Sequence, residues 1–500
     1  MEVPNEEAVF ASIDEMLEKA SDLVSSSSLE DVLQGRSMFE HVLNTVDRTN
    51  PGIVFSLGVS YMRQERYGLA EHLFLRTIDL LRGDETDASI AAPVWNNLGF
   101  IYNMEGRRKE AREAFQKAIE WDPKQSEYYN NMATGYVNTA TPKKALEWIA
   151  KALAIDPDNH DANWNRGLAN LEMYNWEEGW DGYMHGLRGN AIHSSQKRKQ
   201  RYLESPEIDY WLGDATDGIV AVYGEQGVGD EILAASVLED ASKKAPILFE
   251  CHPRLVNIFR HSFPHIPIMG TRKIVSEQVN TLASFDIKHK APIFNLCGLF
   301  RTSDSDFPRL KYLVPFDDKR AEARAWLDSL PSDKPRIGIS WKGGSTLTRN
   351  DLRSIPLMEW KHLFGHVDAE WVSLQYDPAD RPGWNTAIAK QFVEETGIEI
   401  NHRQDWVNDL DMCYGGLIHE LDLIISVNTS LVHACGAYGV KCWTLTPSQP
   451  AWRYGLPNHR HWQDSQMPWY GDWVVQIRQA PEESWSSVFD NVISLLERGF

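Results

Sequence analysis

Hydrophobic and polar positions along this 500-residue chain follow two rhythms. Up to about residue 189 the apolar residues recur at helical spacing; from about 216 short β-rich runs alternate with helix-length segments. GIVAVY, PILFE and IPIMG form one series, separated by EILAASVLEDASK and PRLVNIFRHSF. A second series, RIGISW, EWVSLQ, IEINH, LDLIISV and KCWTLT, follows the connecting stretch FPRLKYLVPFDDKRAEARAWLDSLPSDKP. A βαβ order predicts a parallel sheet, so two doubly wound domains are expected with a cleft between them. Ligands in such sheets sit beyond the carboxyl ends of the strands.

The first half repeats itself. PVWNNLGFIYNMEGRRKEAREAFQKAIEWDPKQ aligns with EYYNNMATGYVNTATPKKALEWIAKALAIDPDN, placing Tyr102 on Tyr136, Ala111 on Ala145, Ala118 on Ala152 and Pro123 on Pro157, each 34 residues apart. The register reaches back to Gly58, Tyr61, Tyr67, Ala70 and Phe74 after seven extra residues around GDETDAS, and forward to Gly167, Trp176, Gly179 and Tyr183. Small residues let two antiparallel helices touch, aromatics fill the space between them, and proline ends the second helix. The pattern resembles the tetratricopeptide repeat over about 51–189, with 1–50 as a divergent helical cap. Such arrays stack into a superhelix whose concave face takes peptides or partner proteins. The plainer reading is a packing or dimerisation surface.

Composition narrows the class. With 42% hydrophobic and 24% charged residues the chain reads as globular, and its length predicts two or three domains. A net charge of −21 disfavours nucleic acid as a partner, because phosphate backbones are gripped by basic surface. The basic run Lys197-Arg198-Lys199-Gln200-Arg201 reads as a solvated linker before an acceptor or membrane contact. No apolar run is long enough to span a bilayer, and the acidic start MEVPNEEAVF is unlike a signal peptide. Five cysteines without a C-x-x-C pair fit free thiols, so a cytoplasmic location is expected.

The residues after each strand run carry the candidate chemistry. GEQGVGD follows the first, KGGSTLTRNDLRSIPL follows RIGISW, YDP follows EWVSLQ, and NTSLVHACGAYG follows LDLIISV. Asn428, Thr429 and Ser430 open a helix whose unpaired N–H groups favour an anion, and His433 lies one turn further on. Alone, N-T-S reads as a helix N-cap and His433 as a buried histidine. Lys342 and Arg353, both after the first strand of that domain, favour a diphosphate.

Taken together, GEQGVGDEILAAS, RIGISWKGG with RSIPL, WVSLQYD, LDLIISVNTSLVHACGAYG and the ending WY...VVQIRQ resemble the glycosyltransferase domain fused to tetratricopeptide repeats in bacteria and phages. That domain is similar in turn to the heptosyltransferases of the GT-B fold. The resemblance implies a helical array followed by a GT-B pair of Rossmann-like domains: a linker at 190–215, an acceptor-side domain at 216–330 and a nucleotide-sugar-binding domain at 331–500. It makes Asp230 the general base that takes the acceptor hydroxyl's proton in an inverting transfer; the alternative for Asp230 is a dipole-stabilised carboxylate at a helix start. Lys342, Thr429, Ser430 and His433 match positions that hold the donor diphosphate, and Ser340, Gly343, Arg353, Gln375 and Asn428 complete the donor-binding set. Glu225, Gln226, Gly227 and Gly229 form the cleft loop.

The implied chemistry needs no metal and no cofactor beyond the nucleotide-sugar co-substrate, since the protein's own cations stabilise the leaving group. Asp304-Ser-Asp306 superficially offers a D-x-D metal motif, but it sits in a polar loop rather than after a sheet strand. Relatives commonly read S-V-D-T-S or S-V-D-T-G where this chain has Asn428, which removes a charge near the donor sugar. Of the tryptophans at 443, 452, 462, 469, 473 and 485, Trp452 and Trp469 are candidates to line the cleft, with packing the general role. The leading reading is a glycosyltransferase whose array recruits a protein acceptor, with a lipid-linked saccharide second and DNA third; the array also offers a route to oligomers. The rival is a non-catalytic repeat scaffold with a degenerate transferase domain. A Rossmann oxidoreductase is excluded, because no G-x-G-x-x-G follows a strand with an acid about 20 residues on.

Overall fold

The computed structural model describes residues 6–26, 28–45, 49–83, 87–137, 139–187, 208–270, 285–331, 333–343, 350–377, 383–456 and 465–498; the basic run at 197–201 and Trp462 lie outside them. The chain divides into two compact units, Met1–Val137 with Thr141–Arg166, and Asn138–Ala140 with Gly167–Phe500. The division falls inside a helix of the last repeat.

The first unit is built of antiparallel helix pairs: α1 (Glu6–Ser25) with α2 (Leu29–Thr45), α3 (Pro51–Arg63) with α4 (Tyr67–Leu80), α5 (Ala88–Met104) with α6 (Arg108–Trp121), and α7 (Ser126–Thr134) with α8 (Pro142–Ile155). Asn50 starts α3 by accepting from the N–H groups of Gly52 and Ile53, with Pro51 in the first turn where its missing N–H costs nothing. The period-34 small residues are contact points: a Cβ on Gly99 would lie 2.5 Å from the Phe115 ring, and one on Gly58 the same distance from Phe74. Ala70, Ala111, Ala118, Ala145 and Ala152 are fully buried. Amide rungs tie successive repeats, Asn131 donating to Asn96 at 2.9 Å and Asn165 to Asn130 at 2.8 Å.

The second unit holds two sheets. The first runs β1-β5-β2-β3-β4, with β1 Asp209–Tyr210, β2 Ile219–Tyr223, β3 Ile247–Cys251, β4 Ile268–Gly270 and β5 Ile287–Pro292, all parallel. The second runs β11-β12-β10-β9-β6-β7-β8, with β6 Arg336–Ser340, β7 Glu370–Ser373, β8 Asn401–His402, β9 Leu423–Val427, β10 Cys442–Thr446, β11 Gln466–Met467 and β12 Gly471–Arg478. It is parallel except for the β11–β12 pair. Every strand run read from the sequence is a strand. β1, inside the segment read as a linker, β5, a central neighbour of β2, and β11 and β12 at one edge of the second sheet are additions.

One face of the second sheet is a dry core in which Ile337, Ile339, Ile425 and Leu445 pack under Trp360, Phe364, Phe392 and Phe489. Near the carboxyl ends of the strands the character changes. Ser340, Ser426, Thr444 and Gln476 form one cross-strand row of polar residues at 3% exposure or less. Buried polar groups persist where they have partners, and this row supports the site.

The second unit also contains α10 (Trp176–Met184), the second helix of the last repeat; its partner α9 (His160–Glu172) runs across the unit boundary. Trp176, Trp180 and Tyr183 pack in an aromatic cluster with Phe294, Phe307, Trp452 and Trp469. The Trp180 indole donates to the Arg301 carbonyl at 2.8 Å.

Candidate active site

Strand β2 delivers the loop Gly224–Gly227 into α11 (Val228–Ala234). The left-handed residue of the loop is Gln226, φ 59°, not a glycine. The glycines serve close approach instead. A Cβ on Gly224 would enter the Glu231 carboxylate, and one on Gly229 would lie 2.9 Å from Ser430 Cα and from the His433 ring. Gly229 thereby lets α11 touch the helix Ser430–Tyr438 that follows β9.

Asp230 stands in the first turn of α11. Its Oδ2 accepts from Gly227 N–H at 2.9 Å, the helix-start role weighed for it, and its other oxygen forms an ion pair with Arg453. Arg453 also donates to Gln226 Oε1 at 2.7 Å, and the Gln226 amide donates to the Tyr183 hydroxyl of α10. Glu225 is buried, and its carboxylate accepts from Phe294 N–H at 3.3 Å.

The second sheet positions the remaining residues. Gln375 Oε1 accepts from Trp341 N–H at 2.9 Å and Lys342 N–H at 2.8 Å, with the Ser340 hydroxyl at 3.3 Å. Its Nε2 donates to the Lys342 carbonyl at 3.0 Å, so Gln375 clamps two strand ends together. Ser340 belongs to the clamp. Lys342 places its ammonium 3.5 Å above the Trp384 ring. A Cβ on Gly343 would meet the Thr429 methyl at 2.6 Å, so the glycine is required for that packing.

The N-T-S segment resolves into separate roles. Thr429 is the N-cap of the helix Ser430–Tyr438, accepting from Leu431 N–H at 3.2 Å, and the Ser430 hydroxyl lies 2.7 Å from that of Tyr414. The Asn428 side chain turns inward, where its oxygen accepts from Thr444 at 2.7 Å and Thr446 at 3.2 Å. Its carbonyl accepts from Arg353 at 3.2 Å. An amide suits this 2%-exposed position, because a carboxylate there would be a buried charge with only hydroxyl donors.

His433 is 4% exposed, its Nδ1 3.1 Å from the Tyr470 hydroxyl and its Nε2 3.4 Å from that of Tyr454. Burial, reinforced by the positive charges of Arg453 and Arg353, holds its pKa down to about 3, so the ring is neutral. Burial likewise lowers Arg353, with Arg453 pulling the same way and Tyr454 and Asp230 opposing.

Asp230, Arg353, Arg453, Tyr454 and His433 therefore form one electrostatically coupled group. Lys342 and Trp384 stand beside each other at the end of β6. Asp304 accepts from the Trp176 indole at 2.6 Å and Asp306 from Ser303 N–H at 2.7 Å, so both carboxylates of the D-x-D segment serve local structure. Among the described residues no group of three metal-ligating side chains occurs.

Sequence reading missed Arg453, Tyr454 and Trp384. Arg453 was findable by the rule already in use, since Ala451-Trp452-Arg453-Tyr454 lies just beyond the carboxyl end of β10. The segment is held by Gln476 and Arg478, which donate to the Tyr454 carbonyl at 3.1 and 2.6 Å.

Against known proteins, residues 92–125 match the tetratricopeptide repeat model. The protein FlbA of Caulobacter vibrioides is 23% identical over 427 residues, covering 75% of this chain and 68% of FlbA. The uncharacterized protein ycf37 of Porphyra purpurea is 36% identical over 95 residues, covering 19% of this chain and 54% of its own length. Solved structures of MamA and of YrrB, the latter described as a TPR protein with an unusual peptide-binding site, are 22% and 21% identical. They cover 31% and 36% of this chain and 86% and 90% of their own, each with a TM-score of 0.27. The chain thus carries tetratricopeptide repeats ahead of an α/β region. Among the described residues no helix is long and apolar enough to cross a membrane.

Proposed function

We propose that the chain is a cytoplasmic glycosyltransferase of GT-B type that moves a sugar from a nucleoside diphosphate to a hydroxyl on a protein acceptor recruited by the repeat array. The observation that carries this reading is the ion pair of a carboxylate, Asp230, with the Arg453 guanidinium, with a second guanidinium, Arg353, within electrostatic reach, beyond the carboxyl ends of the parallel strands of two sheets. A glycosyl transfer uses both charge types. Asp230 takes the acceptor proton as its oxygen bonds to the anomeric carbon, the bond to phosphate breaks, and the electron pair leaves with the nucleoside diphosphate. Arg353, Arg453 and Lys342 offset that charge, the task a metal performs in other transferases.

The test uses the full chain with a panel of nucleotide sugars and peptide acceptors. Asp230→Asn is expected to abolish transfer, a loss of at least 100-fold on the order of a general base's contribution, while donor binding survives. Turnover unchanged by the substitution removes the base assignment. A second reading, a repeat scaffold with an inactive transferase domain, is favoured by one observation: both Asp230 oxygens already have partners. Binding of no nucleotide sugar would select it.

A further inference from the structure

We propose that Tyr312 and Tyr470 are positioning residues of the candidate site: their hydroxyls, polarised in series from the Ile232 carbonyl, hold His433 as its Nδ1–H tautomer, so that the Tyr454 proton is committed to His433 and Tyr454 meets the charges around it as an acceptor only. The tautomer is argued from the hydrogen bonds alone. Its value to Asp230 as a base rests on the glycosyltransferase reading above.

The series begins on the helix that carries Asp230. Tyr312 lies in the connecting stretch between the two sheets, where its N–H donates to the Ala437 carbonyl at 2.9 Å. Its hydroxyl lies 2.8 Å from the Ile232 carbonyl of α11 and 3.5 Å from that of Leu233. The same hydroxyl is hydrogen-bonded to that of Tyr470. Tyr470 rests on the helix Ser430–Tyr438, where a Cβ on Gly436 would enter its ring. Its hydroxyl is 3.1 Å from His433 Nδ1, and His433 Nε2 is 3.4 Å from the Tyr454 hydroxyl. Tyr470, His433 and Tyr454 are all buried.

Counting protons fixes the direction. A carbonyl only accepts, so the single Tyr312 hydroxyl proton points to α11. The Tyr312 oxygen then accepts from Tyr470, which commits the Tyr470 proton. Toward His433, Tyr470 offers lone pairs alone, so Nδ1 carries the imidazole proton and Nε2 is bare. The Tyr454 hydroxyl donates to that bare nitrogen. Burial raises all three phenols and holds His433 down to about 3, so each group keeps one exchangeable proton at neutral pH. The opposite direction sets the lone pairs of Tyr312 and Tyr470 against each other with no proton between them, which leaves buried acceptors unbonded.

The direction matters to Asp230. Arg353, Arg453 and Asp230 all act electrostatically on Tyr454. Among the described residues, however, the bonds to the Asp230 carboxylate come from Gly227 N–H at 2.9 Å and from Arg453. A phenol donating to Asp230 would stabilise the ionised carboxylate and weaken it as a base. With its proton held by His433, Tyr454 makes no such bond. His433 then acts through Tyr454 and not as a donor to phosphate.

The test is nitrogen NMR of the full chain labelled with 15N-histidine, the His433 signals being those lost in His433→Gln. Two-bond couplings from the ring C–H protons separate a protonated ring nitrogen from a bare one. In the unaltered protein at neutral pH, Nδ1–H is expected to exceed Nε2–H by at least about tenfold, the reverse of the preference of free histidine. Tyr470→Phe, which removes the acceptor at Nδ1, is expected to make Nε2–H the main form. Tyr312→Phe touches neither ring nitrogen but lets the Tyr470 proton turn to Nδ1, and is expected to lower the ratio at least about threefold. Tyr454→Phe is expected to leave Nδ1–H dominant. Thermal unfolding of each variant checks that the fold is kept.

Nε2–H as the main form in the unaltered protein overturns the proposal. A ratio that Tyr312→Phe leaves unchanged overturns it as well, since the Ile232 carbonyl then does not set the direction, and so does a reversal in Tyr454→Phe. The measurement needs neither donor nor acceptor substrate. Its failure is therefore distinct from that of the glycosyltransferase reading, which falls if no nucleotide sugar binds.

Discussion

At the residue scale, the site shows how one side chain's role is set by what surrounds it. His433 reads in the sequence as either a diphosphate ligand or a buried histidine; the structure makes it a neutral ring between two tyrosine hydroxyls. Its folded pKa, about 3, lies below the ordinary value of 6.5, so the unfolded chain binds the proton between those limits. Stability from this group is therefore complete above about pH 6.5 and falls on acidification at up to about 1.4 kcal/mol per pH unit. His419, lowered to about 4 by burial and by Arg320, acts in the same sense. Urea unfolding between pH 7 and 4.5 is expected to show this slope, and His433→Gln is expected to flatten it by one proton while the His419 part persists. An unaltered slope in the variant would refute the assignment. Residue types and spacing made Asp230, Lys342, Arg353 and His433 legible as candidates. They did not reveal that Asn428 points into the sheet or that Gln375 clamps it, because a polar residue after a strand looks alike whether its side chain faces ligand or backbone. Arg453 met the strand-end rule, but its pairing with Asp230, 223 positions away in the chain, is recorded by no local pattern.

At the scale of elements, the repeat is legible because its small residues are geometrically required. Gly99 meets Phe115 where α5 and α6 touch. Gly99→Val forces the pair apart, and thermal or urea unfolding is expected to show a loss of about 1–3 kcal/mol. A variant as stable as the parent would show that the helices accommodate the branch. Strands were legible where both faces are buried, as in β9, whose five residues Leu423–Val427 are all buried. β5 was not. It reads Ile-Lys-His-Lys-Ala-Pro: its first three residues are exposed or half-buried, and a second lysine, Lys290, stands among its three buried residues with its ammonium over the Tyr210 ring. A central strand whose outer turn is solvated has neither a continuous apolar run nor clean alternation. The seven extra residues between the first two repeats are explained in part by α5, which begins at Ala88, ahead of Pro93.

At the scale of the whole molecule, the compact units do not coincide with the change of sequence rhythm. The repeat pattern runs to about 189, yet the division falls at Arg166, and α10 belongs to the unit that carries the sheets. Burying Trp176, Trp180 and Tyr183 is worth roughly 10–15 kcal/mol as an upper figure, comparable with the whole net stability of a typical protein. A chain beginning at His160, which keeps α9 and α10 entire, is expected to unfold in one cooperative thermal transition. A chain beginning at residue 190 is expected to have none and to aggregate; cooperative melting of the shorter chain would show the cluster to be dispensable. The same cluster has an optical consequence. Trp180 and Trp452 stand 5.7 Å apart at 87°, with Trp176 6.4 Å from Trp180 and 6.2 Å from Trp469. Indoles fixed so close in a handed array share their excited states, which gives a paired positive and negative band in circular dichroism. Trp452 is the chain neighbour of Arg453, so the molecule contains its own chromophore beside the ion pair with Asp230, readable in dilute solution without a dye.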